Sequence, residues 1–341
     1  MKLFNKNSTV SEIIAADYNI LPLLNRFGTG LGDGVRNVEA ICAESGINPD
    51  FFLLVINIFI HKDYHPEIDT PHFAPDMIID YLRKTHNYYI EYILPELDLL
   101  FRKMMSVCKE NCSDLSLINK FYIQYKKELL DHIEDEEKRV FPYALQLTSG
   151  QQTPSGYRIS RFEAEHSNVE EKLSDLRMLL IKNLGPGYDQ NLCNEFFFSL
   201  ARFEEDVTDH ARLEDKILVP SVKAIERRYG SKPEEGNISS PARRAGRRNI
   251  RTSETSPGKN RKTGEKRGAI TRREREIIRL VATGYSTKEI ADILFISNHT
   301  VITHRKNITA KLGIRSIPGI TVYAIIEGII NPDDIRSEDL I

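Results

Sequence analysis

Residues 131–142 read DHIEDEEKRVFP and residues 209–220 read DHARLEDKILVP, so the chain contains one pattern twice. In each copy a histidine stands four positions before a glutamate: His132 before Glu136, and His210 before Glu214. Residues four positions apart lie on the same face of an α-helix. Each copy therefore predicts a helix that directs one imidazole and one carboxylate toward a common point.

A single histidine precedes each copy at a similar distance. His86 lies 46 residues before His132, and His166 lies 44 residues before His210. The matching intervals indicate that the two halves repeat one helical hairpin. Two such hairpins predict a four-helix bundle.

Apolar residues at helical spacing predict that the histidines face inward. They are Leu82, Ile90 and Ile93 around His86; Phe162, Val169 and Leu173 around His166; and Phe203, Val207 and Ile217 around His210. One histidine on such a stripe is more often a core residue than a ligand. Burying four imidazoles and two carboxylates without a cation, however, would cost on the order of several kcal/mol for each unpaired charge. The whole set therefore predicts a site for iron, zinc, copper or manganese.

These segments resemble the His-x-x-x-Glu motifs of haemerythrin-like di-iron proteins, and most closely the repair-of-iron-centres branch, over residues 75–226. The resemblance implies a non-haem di-iron centre. Its two iron ions would be bridged by Glu136 and Glu214 and capped by His86, His132, His166 and His210. Glu170 stands where the oxygen-carrying haemerythrins have a further histidine. Fewer histidines leave more iron positions open, which favours reaction or sensing over oxygen storage.

The N-terminal stretch, roughly residues 8–60, resembles the small helical domain that precedes the bundle in the same branch. Members commonly carry a vicinal cysteine pair there. This chain has no cysteine between Gly28 and Val35, so the sequence does not support thiol chemistry at that place.

Thr9 with Glu12 predicts a capping box. The apolar run FFLLVINIFI at 51–60 is too short to span a bilayer and predicts a buried or docking helix, with a partner-binding surface as the alternative.

The remaining cysteines and histidines predict no further site. Cys108 and Cys112 are interpreted as reduced, inert thiols, and the other two cysteines show no ligand spacing. His61 and His65 precede two prolines and are interpreted as loop residues. The chain shows neither a signal peptide nor a long apolar run, which predicts a cytoplasmic protein without membrane association.

Charge is distributed unevenly along the chain. Residues 1–230 hold 26 Lys and Arg against 36 Asp and Glu, whereas residues 231–268 hold 11 against 4. The second segment has no apolar period and is rich in Ser, Gly, Pro and Arg. It is interpreted as a basic flexible linker that can also contact phosphates.

The C-terminal part shows three consecutive helix signatures. Capping boxes at Thr271 and Ser286 predict the first two helices, and Ser297 opens a third that Gly313 ends. The third helix, at about 298–312, is the expected recognition helix of a helix-turn-helix. The segments TRRERE, KEIA and TVITHRKNITAKLG resemble the LuxR-type helix-turn-helix domain, which implies binding to double-stranded DNA.

The resemblance also implies which residues face DNA. The predicted DNA-binding set is Lys288, Thr300 and Arg305 toward phosphates; Ile302, Thr303 and Lys306 toward base edges; and Val301 and His304 beside them. For His304 the alternatives are a contact to the DNA backbone and simple packing in the turn. Family members often have Lys at the position of Ile302, where an apolar contact to a thymine methyl is expected instead. The last helix, at 320–330, has enough apolar surface for a homodimer. Pro318 and Gly319 are expected to delay its start.

The sequence as a whole predicts an all-α protein of four parts: a small helical domain (1–65), a haemerythrin-like di-iron bundle (75–228), a basic linker (229–268) and a LuxR-type DNA-binding domain (269–335). The predicted function is a transcription regulator, not an enzyme, whose iron centre senses nitric oxide, oxygen or peroxide. The alternatives are a protein that repairs iron-sulfur clusters or handles nitric oxide, and a bundle that holds a purely structural metal.

Overall fold

The computed structural model describes residues 3–64, 73–107, 112–150, 157–165, 169–184, 188–230 and 269–335. Helices dominate these residues, and no β-strand occurs among them. The predicted all-α class is therefore confirmed. None of the helices in these ranges combines the length and apolar character that a membrane span requires. Most of the predicted linker, residues 231–268, lies outside the described residues.

Four short helices form the N-terminal part: α1 (Val10–Ala16), α2 (Leu21–Arg26), α3 (Val38–Ser45) and α4 (Pro49–Ile60). The predicted capping box is present, because the Glu12 N–H donates to Thr9 Oγ1 at 3.3 Å and the Thr9 N–H donates to Glu12 Oε2 at 2.8 Å. Nine consecutive residues of α4, from Phe51 to Phe59, are buried. The apolar run is thus a buried helix, as predicted.

The bundle is built from helices α5 to α12. They are α5 (Pro75–Tyr88), α6 (Leu94–Val107), α7 (Cys112–Asp135), α8 (Phe141–Thr148), α9 (Ile159–Glu165), α10 (Val169–Asn183), α11 (Gln190–Leu213) and α12 (Val219–Gly230). Three of the joins between consecutive helices are π turns, at Tyr89–Ile93, Glu136–Val140 and Glu214–Leu218. Each of the pairs α5–α6, α7–α8 and α11–α12 is therefore one continuous helical segment.

The π turns follow from prolines in the sequence. Each turn is part of a seven-residue segment that ends in proline: YIEYILP, EEKRVFP and EDKILVP. Proline lacks an N–H and its ring crowds the carbonyl four residues earlier, and a wider turn relieves this crowding. The N–H of Phe141 accordingly bonds to the carbonyl of Glu136, five residues earlier. Both predicted bridging carboxylates, Glu136 and Glu214, are the first residues of such turns.

A polar layer divides the interior of the bundle into two apolar cores. One core joins the N-terminal helices to the start of α5, to α8 and to α12, and the other extends along α6, α7, α10 and α11. His86 and Glu136 lie in sequence between residues of the two cores, Glu214 directly follows Leu213 of the first core, and all three polar residues are buried. The predicted inward position of His86 is thus observed. Ile90 is the exception among its expected neighbours, since it is 43% exposed and Tyr89 takes the buried place.

The C-terminal module consists of α13 (Arg272–Ala282), α14 (Thr287–Leu294), α15 (Asn298–Leu312) and α16 (Ile317–Ile326). The capping boxes at Thr271 and Ser286 are both formed. The expected recognition helix coincides with α15, and Gly313 ends it in the left-handed conformation at φ 69°.

The prediction for the start of the last helix was wrong. Helix α16 begins at Ile317, with Pro318 in its first turn and Gly319 inside it. Proline is accepted in the first turn because its missing N–H would have no partner within the helix there. Ser316 caps this end, since its hydroxyl accepts a hydrogen bond from the Gly319 N–H at 3.1 Å.

Candidate metal centre and nucleic-acid interface

Five of the six predicted metal ligands lie in the polar layer of the bundle. His86 Nε2 is 3.1 Å from Glu136 Oε2, and His132 Nε2 is 3.1 Å from Glu136 Oε1. His210 Nε2 is 3.2 Å from Glu214 Oε1. The sixth predicted ligand, His166, lies outside the described residues.

These side chains form two groups that share one carboxylate. His86, Glu136 and His210 can offer ligand atoms within 4.8 Å of one another, and so can His132, Glu136 and Glu214. A carboxylate has two oxygens and can serve two cations at once. The two groups therefore meet at Glu136, whose oxygens both lie beside imidazole nitrogens.

The buried polar atoms of the site fit a cation. His86 Nε2 and both carboxylate oxygens of Glu136 are buried and make no well-aligned hydrogen bond to the residues that the structure describes. Buried polar atoms are nearly always satisfied in folded proteins. Here the His86 nitrogen and a Glu136 oxygen lie 3.1 Å apart without an aligned hydrogen bond, which fits two ligand atoms that face the same cation. Imidazole nitrogens and carboxylate oxygens are a donor set that suits iron, manganese or zinc.

The electrostatics of the site favour positive charge in its centre. Burial lowers the pKa of His86, but the carboxylates of Glu136 and Glu137 raise it to a net value of about 9. Burial raises the pKa of Glu136, but the surrounding histidines lower it by more. The pKa of Glu136 therefore lies well below its ordinary value. The Glu136 carboxylate is therefore held in its ionised form, in which it can bind a cation.

Glu137 is a functional residue that the sequence analysis missed. Its Oε1 lies 2.8 Å from His86 Nδ1, and its Oε2 accepts a hydrogen bond from Arg83 Nε at 2.9 Å. When Nδ1–H donates to Glu137, the tautomer leaves Nε2 of His86 as the ligand atom that faces Glu136. In the sequence, Glu137 is marked only by its position directly after Glu136. That position does not show that its side chain contacts α5.

Aromatic rings lie against three of the imidazoles. Phe141 stacks on His86 with ring centroids 5.5 Å apart, and Phe162 stacks on His132 at 6.4 Å. The ring of Tyr89 lies 5.8 Å from His210. These contacts also restrict the rotamers of the imidazoles.

The N-terminal helices are attached to α11 next to His210. Arg26 of α2 forms a buried ion pair with Asp206, whose Oδ1 also accepts a hydrogen bond from the Tyr89 hydroxyl at 3.2 Å. After α4, Lys62 donates to Asp209 at 2.9 Å. Two ion pairs therefore join the N-terminal part to α11 beside His210.

The other histidines and cysteines do not join the cluster in the described part of the chain. His61 follows α4 directly and stacks on Phe4 with ring centroids 5.9 Å apart. Cys42 is buried, and burial raises its pKa to about 11. His65 and Cys108 lie outside the described residues, as does the side chain of Cys112.

The predicted DNA-binding residues lie mostly on one face of the C-terminal module. Ile302 is 45% exposed, and Thr303, Lys306 and Lys288 are exposed as well. Arg305 is partly buried, and its Nη1 donates to Thr287 Oγ1 at 3.3 Å, which links α15 to α14. Thr300 and His304 are partly buried at the margin of this face.

Val301 is not part of that face, and its inclusion in the predicted set was wrong. Its side chain is 0% exposed and belongs, with Ile308 and Leu312, to the buried stripe of α15. These three residues are spaced as one helical face that packs toward the module's own core. Val301 therefore stabilises the module and does not contact DNA directly.

Two family models match the chain. Residues 77–222 match the hemerythrin HHE cation-binding domain, and residues 269–324 match the luxR family of bacterial regulatory proteins. The chain is similar to the transcriptional regulatory protein MctR of Rhizobium johnstonii, with 47% identity over 62 residues, which is 18% of this chain and 29% of that protein. It is also similar to the oxygen regulatory protein NreC of Staphylococcus aureus, with 46% identity over 56 residues, which is 16% of this chain and 26% of that protein.

The similarity to these regulators is confined to the DNA-binding part. The chain spans less than a third of the length of the relatives that it matches. The bundle therefore lies outside the region of similarity to these relatives. The chain joins a hemerythrin HHE cation-binding domain to a C-terminal LuxR-type regulatory domain.

Proposed function

We propose that this chain is a transcription regulator that binds double-stranded DNA and whose affinity for DNA depends on a di-iron centre in the bundle. The observation that carries the proposal is the pair of ligand groups that share Glu136, in the same chain as a LuxR-type module. His86, His132, His210, Glu136 and Glu214 would hold the metal, and His166 remains a predicted ligand. We further propose that the protein is cytoplasmic and acts as a homodimer.

The proposed signal is nitric oxide, oxygen or peroxide. The six predicted side chains, with Glu136 shared, would leave coordination positions free for a small ligand on two ions that each accept about six donors. Bound iron would supply a redox-active cation that binds a small diatomic ligand or peroxide at such a position. The protein's own contribution is to hold the imidazoles with Glu137 and to exclude water with Phe141 and Phe162.

The metal assignment is tested by metal analysis and an optical spectrum of anaerobically purified protein, before and after exposure to nitric oxide and to oxygen. We expect about two iron ions per chain, with a spectrum that changes on exposure. The double variant His132→Ala, His210→Ala should lose the iron, whereas His61→Ala, outside the cluster, should keep it. Full iron loading of the double variant would refute the site.

The same samples distinguish the two other functions. A protein that repairs iron-sulfur clusters would transfer iron to a damaged cluster while its DNA affinity stays constant. A structural metal would neither transfer nor change DNA affinity, and its removal would only lower thermal stability. A regulator requires DNA affinity to differ between the iron-loaded and iron-free forms.

A further inference from the structure

The DNA-binding module is docked on the side of the bundle through α16. At the centre of the contact is Asp175 of α10, a carboxylate that is 0% exposed. Its Oδ1 accepts a hydrogen bond from the Arg315 N–H, and its Oδ2 accepts one from the Ser316 N–H, both at 2.7 Å. Both donors are backbone groups at the start of α16, where helical N–H groups lack partners within the helix and attract negative charge.

A second polar contact lies two turns further along α10. Lys182 Nζ donates to the carbonyl of Leu312, the last residue of α15, at 2.7 Å, and lies 5.5 Å from the ring centre of Tyr323. A cation is favourable at the C-terminal end of a helix, where the last carbonyls are unpaired. One helix of the bundle thus contacts the end of α15 and the start of α16 with opposite charges.

The two surfaces also fit closely in shape. Met178 lies between Asp175 and Lys182 on the same face of α10, and a Cβ at Gly313 would lie 3.1 Å from its Cε. A Cβ at Gly319 would lie 2.6 Å from Asp175 Oδ2, which is closer than real contacts allow. Glycine at position 319 thus permits the approach that brings Asp175 to the backbone of α16.

Helix α16 is apolar on all sides, so its surface is stabilised by packing against other helices. Its residues from Gly319 to Ala324 are all buried. It packs on α13 within the module and on α7 and α10 of the bundle, and the module's apolar residues form one core with those of the bundle. Ile302 and Lys306 on α15 are exposed in this arrangement. The docking therefore covers α16 and leaves the proposed DNA-contacting face open.

We propose that Asp175, Met178 and Lys182 form a latch that holds the DNA-binding module against the bundle, and that the latched chain binds DNA more weakly than the released chain. The weaker DNA binding of the latched chain follows from charge. The latch keeps residues 1–230, with a net charge of −10, beside the module, and this negative charge repels the phosphates of DNA. Helix α10 packs on α7, which carries His132, and on α11, which carries His210. Control of the latch by the metal rests on the proposed function, whereas the latch itself does not.

Amide hydrogen exchange of the full chain tests the latch directly. In Asp175→Ala the amides of Arg315 and Ser316 lose their acceptor, and we expect their exchange to become about tenfold faster or more. Lys182→Ala leaves Asp175 in place and should accelerate the same amides to a smaller extent. Amides of α13 should keep their rates in both variants. Glu195→Ala, which removes one exposed carboxylate of α11, is the matched control and should resemble the wild type.

DNA binding of the same four proteins tests the consequence of release. Affinity should rise about tenfold in Asp175→Ala and less in Lys182→Ala, at fixed salt, and stay constant in Glu195→Ala. Unchanged exchange at Arg315 and Ser316 in Asp175→Ala would overturn the latch. Faster exchange with equal or lower DNA affinity would overturn the assignment of the latched state as the weak binder. A third result would support the latch and refute the proposed sensor. In that case exchange at Arg315 and Ser316 is faster in the variants, while the wild type binds DNA with the same affinity with and without the metal.

Discussion

At the residue scale, the site depends on groups that are not ligands themselves. Glu137 fixes the ring of His86, and Arg83 in turn holds Glu137. The histidines and glutamates of the cluster were predictable from the sequence because i,i+4 spacing is a local property of a helix. The role of Glu137 was not, since it depends on how α5 and the π turn at Glu136 face each other.

We expect Glu137→Gln to weaken metal binding about 10- to 100-fold, because the oriented, basic imidazole of His86 loses its charged acceptor. The measurement is metal affinity by competition with a chelator of known affinity. Glu134→Gln is the matched control, since Glu134 is an exposed residue of the same helix that pairs only with Lys138 among the described residues. Equal affinities of the two variants would refute the positioning role of Glu137.

Cys42 provides a prediction about pH. Burial raises its pKa from 9.0 to about 11, so the folded chain holds the thiol protonated where an unfolded chain would ionise it. This raised pKa contributes stability that is fully present below pH 9.0 and is lost as the pH rises through about 11. We expect Cys42 to resist alkylation at pH 8 in the native protein and to react after unfolding, as measured by mass spectrometry. Rapid alkylation of the native chain would contradict the burial of this thiol.

At the scale of elements, capping boxes gave correct helix starts, whereas Pro318 and Gly319 gave a wrong start for α16. Thr9, Thr271 and Ser286 cap their helices as predicted, because a capping box needs only four neighbouring residues. The π turns were not predicted, because a proline within a helical segment can also kink or end the helix. Val301 was misassigned because the DNA-binding set followed consecutive sequence positions and not one face of α15.

Substitutions on α15 and α14 should separate base contacts from phosphate contacts. Lys306→Ala is expected to relax specificity at one base pair, at a cost of about 1–3 kcal/mol there. Lys288→Ala should weaken binding to all sequences alike and reduce the salt slope by about one. Binding of a set of single-base operator variants at several salt concentrations measures both effects. The same loss on every sequence for both variants would refute the assignment of α15 as the recognition helix.

Val301→Ala separates packing from DNA contact on the same helix. Removing a fully buried side chain should destabilise the module by about 1–3 kcal/mol and lower its melting temperature. Base specificity should stay the same, because Val301 faces the core. Altered base preference at unchanged stability would restore Val301 to the DNA-binding set.

At the scale of the whole molecule, the chain places a polar layer between two apolar cores and docks its DNA-binding module on one of them. Sequence patterns located the bundle and the helix-turn-helix, because each has its own local period. They did not predict the contact of Asp175 with α16, because two residues 140 positions apart share no pattern in the chain. Together with the Lys182 contact and the shared apolar core, this contact connects the two parts in the described structure.

The central claim is that the state of the iron sets DNA affinity. It is tested most directly by titrating one DNA fragment, selected by this protein from a random-sequence pool, with the iron-loaded, nitric-oxide-treated and iron-free forms at fixed salt. A coupling of about 1–3 kcal/mol predicts affinities that differ about 5- to 150-fold between forms. Indistinguishable affinity and oligomeric state across the three forms would contradict it.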